Sequence, residues 1–168
     1  IEVCRDYHIQ MPMQSAFIGW KQEPDDYLER ILGHDRLEKL NPIKTFRDNN
    51  IVVSFGSDAP CTNPDPIAWM DRAVNNDNAG QAVSVQDALR MCTYNGAWAA
   101  FDEQERGSLE AGKIADMAVL SENPYTVPKD KLSGLRVERL YLSGKSYESC
   151  RESILPMMLR GLTSRNKA

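Results

Sequence analysis

The run Ile51-Val52-Val53-Ser54-Phe55-Gly56-Ser57-Asp58-Ala59-Pro60 constrains the fold more than any other stretch of the chain. Five residues of strand character lead into a glycine, a serine, a carboxylate and a proline that ends the run. Apolar side chains in near-unbroken succession predict a strand covered on both faces, as in parallel sheets. Asp58 then stands just past the C-terminal end of that strand. Barrels and open sheets of the α/β class place their chemistry there. An aspartate at such a point also serves as a turn residue bonded to its own backbone, and the spacing alone leaves both roles open.

The flanking sequence supplies the partners a parallel strand needs. Residues 9–18 alternate in part and predict a strand, interrupted by Pro12, which has no N–H to give to a ladder. Met11, Met13, Phe17 and Trp20 read as packing residues. Pro24 to Gly33 has start and stop signals for a short helix, with Asp25 and Asp26 at its positive end. A second helix follows Asn41-Pro42 with Ile43 and Phe46 on one face, and Asp48-Asn49-Asn50 turns the chain into the opening strand. Strand, helices and strand make a βαβ unit. Beyond Pro60, a helix is expected over 67–74 and a polar loop over 75–80. Ser84 and Asp87 form a capping box for a helix over 85–101. Its apolar stripe is Val85, Ala88, Leu89, Cys92, Trp98 and Phe101, which makes Cys92 a small buried hydrophobe. A strand near 117–120 and a hairpin over 135–148 follow. Residues 152–162 predict a short amphipathic helix interrupted by Pro156.

Composition removes several functions. A net charge of −4 and no basic stripe argue against a nucleic-acid surface, and no run of about 18 apolar residues offers a membrane span. The N-terminus has neither an initiator Met nor a signal segment and reads as a cut end within a helix. Cys4, Cys61, Cys92 and Cys150 form no Cys-x-x-Cys pair, as expected for reduced thiols in a cytoplasmic protein. His8 and His34 lie in no metal-binding spacing. Gly107 to Lys113 matches the first seven positions of a phosphate-binding loop. Ile114 replaces the required Ser or Thr, and a strand follows where a helix should, so nucleotide binding is not expected.

FGSDAP at 55–60, the capped helix SVQDALRMCTYNGAWAAF and RGSLEAGKIADMAVLSENPY at 106–125, followed by VERLYLSGKSYE, together resemble the C-terminal third of the metal-dependent amidohydrolase superfamily. The closest branch is family 3, which includes N-substituted formamide deformylase-like proteins. The resemblance runs from about residue 9 to 148. It implies an α/β fold: the C-terminal portion of a distorted (β/α)8 barrel, plus strands of a flanking small β-sandwich. Residues 9–18 would be the seventh barrel strand and 51–57 the eighth. Residues 1–104 would form the partial barrel, 105–148 the sandwich strands and hairpin, and 149–168 a helical tail. Gly107 and Gly112 would turn the chain from barrel to sandwich, with Asp116 a structural carboxylate at that junction.

By the same resemblance, Asp58 would be both a metal ligand and the general base that takes a proton from metal-bound water. The metal would be divalent, zinc by expectation, and the substrate a small molecule with an amide, formamide or cyclic C–N bond. The family's other ligands belong to earlier strands: a His-x-His at the first, a carboxylated lysine or its equivalent at the fourth, single histidines after the fifth and sixth. None of those strands is in this sequence, and His8 matches none of those positions. Catalytic zinc needs three protein ligands and this chain offers one. The expectation is therefore an inactive, metal-free portion of a hydrolase. Its open strand edges would be covered by homo-oligomer formation. The alternative is a non-catalytic regulatory or interaction module on the same scaffold.

Overall fold

The computed structural model describes residues 1–19 and 26–147. Trp20, Pro24, Asp25, Cys150 and the expected helix over 152–162 lie outside the described residues. Within them, β1 (Met11–Met13) and β2 (Val53–Phe55) pair in parallel, Met11 opposite Val53 and Met13 opposite Phe55. The ladder ends on Met11 N–H to Val52 O at 2.9 Å and Gly56 N–H to Met13 O at 3.0 Å. Both strands are shorter than expected. Pro12 cannot donate, and after Gln14 the chain folds into a 3₁₀ turn, Ser15–Phe17. At the start of β2, Ile51 N–H still bonds Phe46 O of the preceding helix.

The connection between the strands is helical, as a parallel pair requires. After the short N-terminal helix α1 (Glu2–Asp6), α2 (Tyr27–Leu32) stops at Gly33, whose φ of 73° suits a residue without Cβ. An unexpected turn of helix, α3 (His34–Leu37), follows it. Then α4 (Ile43–Asp48) buries Ile43 completely and packs Phe46 at the margin of the core. Beyond β2, α5 (Pro66–Val74) is opened by Asp65, whose carboxylate accepts from Ile67 and Ala68 N–H, with Pro66 at the first helical position.

Ser84 opens α6 (Val85–Cys92): its Oγ accepts from Asp87 N–H at 3.1 Å and donates to the Asp87 carboxylate at 2.6 Å. The expected single helix to residue 101 is in fact two. Thr93 leaves helical geometry (φ −124°, ψ −90°), its hydroxyl bonding Leu89 O at 2.8 Å, before α7 (Tyr94–Ala99) begins. The break resets the helical phase, so the apolar stripe does not continue. Ala88 and Met91 are buried, whereas Phe101 is 90% exposed at φ 61°. Phe101 is therefore not a core residue.

The core is contiguous. Ile18, Ile43, Val53, Met70, Ala73, Val74, Val83, Ala88 and Met91 meet where β2 and helices α4 to α6 converge, and Leu132 and Leu135 join them from the far end of the chain. Those two leucines come from a 3₁₀ segment, Lys129–Gly134, and the residue after it. Asn75 Nδ2 bonds Lys129 O at 2.8 Å and fixes that segment against α5.

The second sheet is antiparallel, with β4 (Val137–Leu142) between β3 (Met117–Leu120) and β5 (Lys145–Tyr147). Ser143 and Gly144, at φ 51° and 76°, make a two-residue turn with both central residues left-handed, the geometry that matches strand twist in hairpins. Asp116 closes the junction, accepting from Ser143 N–H at 2.8 Å and facing Arg106 at 3.4 Å. Gly107 (φ 90°) approaches α7 so closely that a Cβ would lie 2.6 Å from Ala97 Cβ. Lys113 Nζ bonds Ser108 Oγ at 2.6 Å and lies 5.5 Å from the Tyr94 ring centre. The glycine-bounded stretch thus runs from helix to strand, the reverse of a phosphate loop's setting. No helix among the described residues is long and apolar enough to cross a membrane.

Candidate active site

Strand β2 delivers Gly56, Ser57 and Asp58 to the C-terminal mouth of the parallel pair. The strand itself is held firmly. Val53 and Ser54 are buried, and on the flank away from β1 the side-chain amide of Asn95 donates to Val53 O at 2.7 Å. Asn is a poor residue for a helix interior because its amide seeks backbone partners. Here the partner is a strand.

Asp58 is exposed and adopts φ 54°, a left-handed conformation that residues with a Cβ seldom take. Three hydrogen bonds shape the turn around it. Thr62 Oγ1 donates to Ser57 O, Ala59 N–H donates to Ser57 Oγ at 3.1 Å, and Cys61 N–H donates to Asp58 O at 2.9 Å. All of them hold the backbone, so the carboxylate remains available to a ligand from outside.

A metal centre needs more than one such group. Among the described residues no cluster of three or more His, Cys, Asp or Glu side chains is placed to hold a cation. His8 is exposed on the N-terminal segment at φ 53°. His34 is engaged between Glu29 at 3.3 Å and Glu38 at 3.4 Å. Cys4, Cys61 and Cys92 are free thiols. Cys92, facing Pro66 O, has its thiol pushed up to about 12 by burial, which keeps it protonated and inert. Asp58 has the chemistry of a metal ligand, and among the described residues no two further such side chains are grouped with it.

A different arrangement occupies the other end of β2. A groove of about 360 Å³ runs beside Ile51 and Val53, walled by Arg90, Tyr94, Asn95 and Trp98. Arg90 stacks 4.2 Å above the Tyr94 ring centre. At its edge Arg47 pairs with Asp87, tying α4 to α6. Burial of Asp87 raises its pKa, but hydrogen bonds from Ser84 and Arg47 outweigh this and leave the carboxyl below its ordinary value. The sequence reading missed Asn95, Thr62 and this ion pair, because each acts on a partner distant in sequence or through backbone.

A parallel pair wrapped by helices, followed by a small antiparallel sheet, defines an α/β protein. The sequence profile of the Amidohydrolase family matches residues 5–147, and the chain belongs to that family. An N-substituted formamide deformylase from Arthrobacter pascens is 35% identical over 136 residues, 77% of this chain and 23% of that protein. A 5-methylthioadenosine/S-adenosylhomocysteine deaminase from Caldanaerobacter subterraneus subsp. tengcongensis is 30% identical over 128 residues, 66% of this chain and 29% of that one. Among solved structures, an uncharacterized metal-dependent hydrolase from Pyrococcus furiosus superposes with a TM-score of 0.60 at 27% identity, covering 68% of this chain and 24% of its own. The chain thus spans about a quarter of the length of the relatives it matches.

Proposed function

We propose that this chain is the C-terminal portion of a metal-dependent hydrolase of non-peptide C–N bonds, with Asp58 as one ligand of its metal. On this reading residues 1–104 close a (β/α)8 barrel, with β1 and β2 as its seventh and eighth strands. Residues 105–148 then belong to a flanking β-sandwich. What carries the reading is the parallel pairing of β1 and β2 with an exposed carboxylate directly after β2. Among the described residues the flank of β2 away from β1 carries no strand and is met instead by the Asn95 side chain, whereas a closed barrel has a strand on each side of every strand.

A divalent cation, zinc in this reading, would lower the pKa of a bound water and polarise the amide, formamide or cyclic amide carbon. The chain's own contribution is at Asp58. As a carboxylate it would be able both to hold the cation and to act as general base toward its water. Acid–base groups of this kind contribute roughly 10²–10⁴-fold in rate. In the complete gene product, Asp58→Asn should lower formate or ammonia release from a panel of N-alkyl formamides and cyclic amides by that factor, along with metal content. A variant with unchanged turnover and metal would overturn the reading. The isolated 168-residue chain, with one ligand, should take up no stoichiometric zinc in titration calorimetry and should self-associate in light scattering. A tight zinc site or a monomer over a wide concentration range would count against those two parts.

A further inference from the structure

We infer that Thr62 and Ser57 are positioning residues for Asp58, a role that rests on the reading of Asp58 as a metal ligand. An exposed carboxylate has its aim set by its backbone, and at φ 54° that backbone occupies a region disfavoured by the Cβ. Such a conformation persists only where the surroundings over-determine it. Here the support comes from both sides of the residue. The hydroxyl of Thr62 holds the carbonyl of Ser57, the residue before Asp58, and the hydroxyl of Ser57 holds the N–H of Ala59, the residue after it. The Cys61 N–H on Asp58 O at 2.9 Å closes the turn. Thr62 and Ser57 are half-buried beneath the exposed Asp58. Loss of the Thr62 hydroxyl frees the 57–58 peptide to rotate, which swings the carboxylate away from the mouth of β2.

Two substitutions separate this role from simple packing. Thr62→Val keeps the shape and removes the donor, whereas Thr62→Ser keeps the donor and removes a methyl. Zinc affinity of the complete gene product, measured by competition with a chromophoric chelator, is the readout, with Ser57→Ala and Asp58→Asn in parallel. Groups that orient a metal ligand typically carry about 10–100-fold in metal affinity. Thr62→Val is expected to lose that much, Ser57→Ala a smaller factor, and Thr62→Ser to stay near wild type. Thermal unfolding of the metal-free Thr62→Val protein should remain cooperative. Wild-type affinity in Thr62→Val would overturn the role. So would equal losses in the Val and Ser variants, or loss of cooperative unfolding in Thr62→Val, since either makes Thr62 a packing residue. If Asp58→Asn keeps wild-type zinc affinity, the reading of Asp58 fails first and the positioning role falls with it.

Discussion

The two sheets of this protein are built on opposite terms. The parallel pair is short, three residues a strand, yet Val53 and Ser54 are almost fully buried and α4, α6 and α7 pack against β2. The antiparallel sheet has more residues and a longer ladder, with one register shift between Val119 and Leu120, but Val119, Val137, Leu142 and Tyr147 are each more than 40% exposed. Ladder length and burial are thus decoupled. The first sheet is held by what covers it, the second by its own ladder and by ties such as Asp116 to the hairpin turn. Antiparallel sheets tolerate this because they can face water on one side, while parallel pairs rarely do.

Substitutions can sharpen that contrast. The largest effect should follow from emptying the core beside β2: Met70→Ala or Leu132→Ala should cost about 2–5 kcal/mol in urea unfolding. Next comes Gly107→Ala, which combines a left-handed φ with a 2.6 Å approach to Ala97. It should lose more than the roughly 1–2 kcal/mol of the conformational penalty alone. Gly112→Ala, at φ 95° with open space around it, should lose only that penalty.

Third is the Arg47–Asp87 tie. The Asp87 carboxyl lies below its ordinary 3.8, so its contribution is fully present above that pH and is lost as pH falls through the lower folded value. Asp87→Asn should therefore cost about 1 kcal/mol at neutral pH, given its partial exposure. The difference from wild type should vanish in strong acid, and unfolding curves across pH test this. The smallest effect belongs to the exposed sheet: Val137→Thr should stay within about 0.5 kcal/mol. A cost of core size there would show that the sheet is buried in solution, by self-association or otherwise.

Much of this was legible in the sequence because it depends on local signals. Apolar runs, glycine stops and the Ser84 capping box led to β2, α2 and α6, and the Ser143-Gly144 turn to the hairpin. The parallel pairing followed from strand, helix and strand in succession. What sequence concealed depends on contacts. Nothing local distinguishes a helix of 85–101 from two helices broken at Thr93, because Thr is tolerated in helices and only its bond to Leu89 O marks the interruption. The turn around Asp58 was equally hidden: Thr62 reads as an ordinary loop residue until its hydroxyl is found on Ser57 O.

Leu132 and Leu135 give the fold a property that neither sheet suggests alone. They lie between β3 and β4 in sequence but sit in the helical core, so the chain leaves that core, lays down a strand, and returns to plug it. A genetic crossover at the entrance to the antiparallel sheet would carry those plugs away with the exchanged half. The two sheets are thus bound to be inherited together, and any chimera joined near residue 105 must import leucines that match the helices it keeps.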